Sequence, residues 1–168
     1  QPGLALPTDD QIGAAYRGLR GKARGMGVAR DVGFRMPSVW LAEGHSAVAP
    51  SYLYRFDWAT PMLRLLRLGG AHATELPFVW GNLVAGPMDP TFRLGGMKTG
   101  KEVSARIQAR WRNFAIQGKP LGLDGEPEWR SYQETDRACL LIDRQDTVVN
   151  DVDLHIRSAW GDEVLSFR

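Results

Sequence analysis

The sequence predicts an α/β architecture that is helix-rich, short of strands and built on an incomplete sheet. Three observations predict it. Ser51-Tyr52-Leu53-Tyr54-Arg55-Phe56-Asp57-Trp58 is dense in aromatics and bounded by Pro50 and Pro61, the mark of a short, mostly buried strand. Residues 101–117 carry Val103, Ile107, Trp111, Phe114 and Ala115 at helical spacing and stop at Gly118-Lys119-Pro120, so this is the clearest helix, and its apolar face must dock on something. Residues 139–142 and 147–149 form a candidate hairpin. With the first strand they are too few for an independent sheet, because strand edges and apolar helix faces would stay unpaired. The rest of the sheet is expected upstream of Gln1, and residues 1–168 are expected to be one undivided C-terminal piece of a larger domain.

The other elements follow from local signals. Thr8-Asp9-Asp10-Gln11 resembles a capping box and predicts a helix over about residues 8–21. Arg35-Met36-Pro37 opens a second helix, with proline tolerated in its first turn, that ends near Pro50. Residues 61–70 read as an irregular apolar loop and 81–100, with its glycines, Pro87 and Pro90, as a long surface excursion. Residues 122–127 are expected in a loop and 151–165 in a terminal helix.

Composition narrows the function. With 43% hydrophobic and 24% charged residues the chain has material for a packed core. A net charge of +2, with basic residues scattered, excludes a module steered by charge to nucleic acid or an acidic membrane. No run approaches the roughly 18 apolar residues of a membrane span. The single cysteine, Cys139, cannot make an intramolecular disulfide, and its setting in Ala138-Cys139-Leu140-Leu141-Ile142 is that of a small buried hydrophobe. Localisation stays open.

The segment that carries chemistry is Gly69-Gly70-Ala71-His72-Ala73-Thr74-Glu75-Leu76-Pro77-Phe78-Val79-Trp80-Gly81-Asn82-Leu83. Glycines let the backbone turn tightly, a histidine stands at the tip, and a short turn with proline at its start follows. Such a loop can display a catalytic imidazole. It holds a structural histidine more often, so the pattern alone leaves both roles open.

The string from Ala71 to Leu83 resembles the histidine motif of the type B carboxylesterases, Gly-x-x-His-x-x-Glu-Leu-x-Phe/Tyr-Val-Phe/Trp-Gly. The flanks agree in family order. Tyr54-Arg55-Phe56-Asp57-Trp58 resembles the strand before that histidine. Residues 106–118 resemble the helix ending Trp-x-x-Phe-Ala-x-x-Gly-x-Pro, and Glu128-Trp129-Arg130-Ser131-Tyr132 resembles the Trp-Pro-x-Tyr that follows. The resemblance implies roughly the last third of a serine esterase of the α/β-hydrolase fold, cleaving a small-molecule carboxylic ester without metal or cofactor. It implies that His72 is the general base and that Glu75 is a structural neighbour outside the triad. The nucleophile, the oxyanion hole and the acid, normally a glutamate on an earlier strand end, are then expected upstream, so the chain alone should be inert. The upstream portion of its own polypeptide is the expected partner, with self-association the expected fate of the isolated chain.

Other residues compete for these roles. Gly44-His45-Ser46-Ala47-Val48 imitates a nucleophile elbow, but Gly-x-Ser-x-Gly needs its second glycine for the turn, and Val48 stands there. Ser46 and His45 therefore read as helix residues. Asp57 lies ahead of His72 in the hydrolase order of serine, acid and histidine, and is the alternative acid. His155 reads as a surface residue of the terminal helix. Met62, Leu63, Leu65 and Leu66 read either as core or as a greasy wall beside the histidine. A non-catalytic adhesion or interaction relative of the same fold is the other functional class, and a Gly-x-Ser-x-Gly upstream would decide between them.

Overall fold

The computed structural model describes residues 9–19, 21–84 and 90–161. The chain forms two compact units, each assembled from separated segments: Gln1–Leu53, Ser131–Ala138 and Asn150–Arg168 in the first, Tyr54–Arg130 and Cys139–Val149 in the second.

The first unit is helical. Helix α1 covers Asp9–Ala15 and α2 covers Gly21–Arg30. A π-helical turn, Asp31–Arg35, leads directly into α3, Met36–Ser46. Sequence reading expected one helix to about residue 21 and missed α2, whose Gly25 and Gly27 leave it without apolar periodicity. It also missed the continuity through residues 31–35. Pro37 has no N–H for the carbonyl of Gly33 four residues earlier, and the wider turn falls on that stretch, where the regular ladder cannot close. The terminal helix, α7, spans Leu154–Trp160, three residues shorter at its start than expected, and leaves helical geometry at Gly161, φ 84°; residues 162–165 of the expected helix lie outside the described residues.

Tyr16, Met36, Val39, Trp40, Ile156 and Trp160 form the core of this unit, with Met36 fully buried. Beneath it runs a polar relay. The Trp160 indole N–H donates to the Tyr16 hydroxyl at 3.0 Å, which donates to the Asp31 carboxylate at 2.8 Å. Asp31, wholly buried, also accepts from Arg30 at 2.7 and 3.1 Å and faces Arg35 at 3.5 Å. A second buried acid, Glu43, accepts from the Tyr132 hydroxyl at 3.3 Å and the Arg137 guanidinium at 2.8 Å. For each of these acids, guanidinium and phenol donors replace the water that burial removes.

The second unit carries the sheet, with strand order β1-β2-β3 for Leu53–Phe56, Ala138–Ile142 and Thr147–Asn150. Just past the end of β1, the N–H groups of Asp57 and Trp58 both donate to the Ile142 carbonyl at the end of β2, so the two strands finish at the same edge and run parallel. β2 and β3 are the expected hairpin. Helix α6 spans Met97–Gln117, four residues longer than expected at its start, and ends at Gly118 in the left-handed conformation, φ 71°. Val103 and Ile107 dock as the pattern requires, whereas Trp111 and Phe114 on the same stripe are each 43% exposed. Residues 61–70 correct the expected loop: Pro61–Leu65 is a helix, α4, capped by the Thr60 hydroxyl, which accepts from the Leu63 N–H at 3.2 Å, with Pro61 in the first turn.

Asp31→Ala would leave the Tyr16 hydroxyl and Arg35 without their buried acceptor, and is expected to cost about 3–5 kcal/mol in urea unfolding. Burial first, and then the bond to Asp31, push the Tyr16 phenol from 10.0 up to about 12. The raised value means that the folded state favours the neutral phenol. Its contribution is complete below about pH 10 and fades as pH rises toward 12, so the urea midpoint should fall across that window and Tyr16→Phe should flatten the fall.

Candidate functional site

His72 lies on the loop between α4 and another short helix of the second unit, α5, Leu76–Val79, and it is exposed. Backbone contacts hold the loop on its strand side. A Cβ on Gly70 would stand 2.3 Å from the Phe56 carbonyl oxygen, so the loop lies against the end of β1 at a distance that only glycine permits. Gly69 beside it is left-handed, φ 59°.

On the other side the chain closes a turn over the histidine. The Thr74 N–H donates to the Ala71 carbonyl at 3.1 Å, placing His72 and Ala73 at the two central positions, and Ala73 is left-handed, φ 62°. The Leu76 N–H then reaches the Ala73 carbonyl at 3.3 Å, and α5 begins with Pro77 in its first turn. Phe78 is buried against Trp58 and Phe56, with ring centroids at 5.1 and 5.2 Å. The Ser104 hydroxyl of α6 donates to the Phe78 carbonyl at 2.7 Å. The motif's Phe78 is thus the anchor of the histidine loop rather than part of its surface.

The other sequence candidates differ in what surrounds them. Asp57 is half-buried beside the Gly70 contact, and its two carboxylate oxygens accept from Arg55 at 2.7 Å each in a bidentate pair. Glu75 precedes α5 without capping it through its side chain; its charge, after burial, holds the Tyr54 phenol above its ordinary value. Ser46 sits in the last turn of α3, where its hydroxyl donates to the Glu43 carbonyl at 2.8 Å, and His45 beside it is exposed, so the apparent elbow is the end of a helix. His155 is exposed on α7 and Cys139 is buried in β2. Leu65 and Leu66, at 69% and 55% exposed, are surface rather than core. Among the described residues, no group of three or more His, Cys, Asp or Glu side chains could hold a metal ion, and no helix is long and apolar enough to cross a membrane.

Sequence reading missed the buried charges under α6. Arg110 contacts Glu126 at 3.2 Å and Asp146 at 3.7 Å and donates to the carbonyls of Pro120 and Pro127. Arg106 contacts Asp146 at 3.1 Å and the Asp143 carbonyl at 2.6 Å. Together they tie the β2–β3 turn and the loop after α6 to the helix that also holds α5. A signal was present, since Arg106 and Arg110 are four apart on the same stripe as Val103 and Ile107.

The sequence profile of the carboxylesterase family matches residues 22–159. The chain belongs to the carboxylesterase family. A para-nitrobenzyl esterase of Bacillus subtilis is 36% identical over 152 residues, covering 88% of this chain and 29% of that protein. A liver carboxylesterase of mouse is 32% identical over 108 residues, covering 62% of this chain and 18% of that protein. Among solved structures, a thermophilic para-nitrobenzyl esterase superposes with a TM-score of 0.72 at 27% identity, over 90% of this chain and 30% of its own. A Geobacillus stearothermophilus carboxylesterase at 24% identity shares the fold, TM-score 0.76, over 95% of this chain and 33% of its own. The carboxylesterase segment described here therefore spans about a third or less of the length of these relatives, and its few strands and many helices are part of an α/β-hydrolase fold.

Gly70→Ala puts a methyl group into the Phe56 carbonyl. Either the loop or the strand end must move, at an expected cost of about 1–3 kcal/mol. Amide NMR shifts at Phe56, His72 and Thr74, with a lowered urea midpoint, are the expected result.

Proposed function

We propose that this carboxylesterase segment supplies the general base, His72, of a serine esterase that cleaves small carboxylic esters through an acyl-serine intermediate. The supporting observation is an exposed imidazole at a central position of a tight turn, on a loop anchored to a strand end on one side and to a helix on the other. In that role His72 takes the proton of the serine hydroxyl as its oxygen attacks the ester carbonyl, then gives that proton to the departing alcohol. In the second half it takes a proton from water, which attacks the acyl-serine, and returns it to serine as the acid leaves. The nucleophile, the acid and the oxyanion donors would come from the companion portion of the esterase. The helix-end setting of Ser46 and the pairing of Asp57 with Arg55 support placing those roles there rather than on these two residues.

Because the three triad groups act as a unit, the 168-residue chain alone is expected to hydrolyse p-nitrophenyl acetate no faster than an equal concentration of free histidine. Combined with a serine-bearing companion segment, it should turn over, and His72→Ala should lower kcat by at least about a thousandfold. Turnover that survives this substitution would end the reading, as would activity of the chain alone that Ser46→Ala abolishes. Tight association with the companion segment and no hydrolysis at all would favour the interaction class instead.

A further inference from the structure

We propose that Thr74 is the positioning residue for His72: its hydroxyl and its backbone N–H close on a single carbonyl, that of Ala71, and clasp the histidine in the turn between them. The role rests on the esterase reading of His72, but the geometry stands apart from it. The hydroxyl donates at 2.7 Å and the N–H at 3.1 Å. A turn in which the fourth residue donates to the first is a common element, and ordinarily the N–H alone closes it. Here a second donor from the same residue locks the same oxygen.

The extra bond answers a local strain. Ala73 occupies the second central position of the turn with φ at 62°. Turns that demand positive φ there favour glycine, since a Cβ crowds the following carbonyl in left-handed backbone. Alanine stays in such a conformation only where its surroundings over-determine it. What surrounds it is the doubly bonded Ala71 carbonyl before it and the Leu76 N–H, at 3.3 Å, on its own carbonyl after it. If the clasp opens, Ala73 is free to relax to negative φ, and the peptide that carries His72 rotates with it. Gly70, pressed on the Phe56 carbonyl, and Phe78, buried on Trp58, hold the two ends of the loop whatever Thr74 does. The clasp therefore governs orientation at the tip and not folding of the unit. Thr74 acts through the turn and need not touch substrate.

Thr74→Val keeps the shape and removes the hydroxyl, whereas Thr74→Ser keeps the hydroxyl. In the full 168-residue chain, backbone ¹⁵N relaxation of the parent should give order parameters near the rigid value of about 0.85 at His72 and Ala73, falling toward about 0.6 in the valine variant. The Thr74 amide should exchange about three- to tenfold faster with valine, and serine should restore both readings. Signals of Trp58, Phe78 and Ser104 should match in all three proteins. Parent-like order in the valine variant overturns the clasp, as does a serine variant that fails to restore it. Should valine disturb the fold, the parent alone decides: a Thr74 amide exchanging at the rate of an unstructured peptide would refute the clasp. Where esterase turnover is reconstituted, Thr74→Val should lower kcat about three- to tenfold with KM unchanged, and serine should recover it. An unchanged kcat with a loosened turn would remove the positioning role. Failure of the esterase reading shows differently, as turnover indifferent to His72→Ala.

Discussion

At the edge where β1 and β2 end, the carbonyl of Ile142 accepts two successive backbone donors, the N–H groups of Asp57 at 2.9 Å and Trp58 at 3.0 Å. Two donors on one oxygen leave no regular ladder to continue, so the strand ends there and the chain must turn away. The consequences are local and concrete. Trp58 is delivered into the apolar interior, where Phe78 and Phe92 meet it at 5.1 and 6.5 Å. The Phe56 carbonyl faces outward to meet Gly70. The histidine loop is thus referenced to a strand end, the kind of position from which an open α/β sheet presents its chemistry.

Buried charge is the second constraint, and it is handled alike in both units. Asp31 and Glu43 in one, and Arg110 with Asp146 in the other, lie out of water with partners on neighbouring segments. Burial lowers the Arg110 guanidinium from its ordinary value while Glu126 and Asp146 oppose that shift. In the first unit burial, then the Glu43 charge, pushes the Tyr132 phenol up. Such groups contribute little net stability compared with apolar side chains of the same size, but removing one partner strands the other. Their effect is to fix which loops meet which helix: Pro120 and Pro127 carbonyls on Arg110, the 143–146 turn on Arg106.

How much of this the sequence disclosed depends on whether a signal was local. The β1 strand, the β2–β3 hairpin and the body of α6 were legible because aromatic density, alternation and a 3.6-residue stripe need no distant partner to be read. α4 was legible in principle, as Thr60-Pro61 is a cap followed by a first-turn proline, yet the leucines after it masked the signal. α2 was not, because in Gly21-Lys22-Ala23-Arg24-Gly25-Met26-Gly27 three glycines break up the good helix formers Lys, Ala, Arg and Met and leave no apolar stripe, and Gly27 packs directly on the Tyr16 ring, a contact no local pattern discloses. At the site, His72 was picked out by its glycines and by resemblance. The two hydrogen bonds that Thr74 donates to the Ala71 carbonyl were invisible, because nothing in the order Ala-His-Ala-Thr says that alanine will be left-handed.

That last point bears on how a short loop could hold an imidazole in the role proposed for His72. An imidazole that must relay a proton has to be held within about 0.5 Å of its working position. A loop without long side-chain anchors reaches that tolerance only by constraining its backbone. Here the constraint is graded from the inside out: the packed rings of Phe78 and Trp58, then the Ser104 bond to the Phe78 carbonyl, then the Gly70 contact with β1, and at the tip the turn closed on Ala71. All of these residues belong to the second unit. The contacts that hold the His72 loop therefore all lie within that unit.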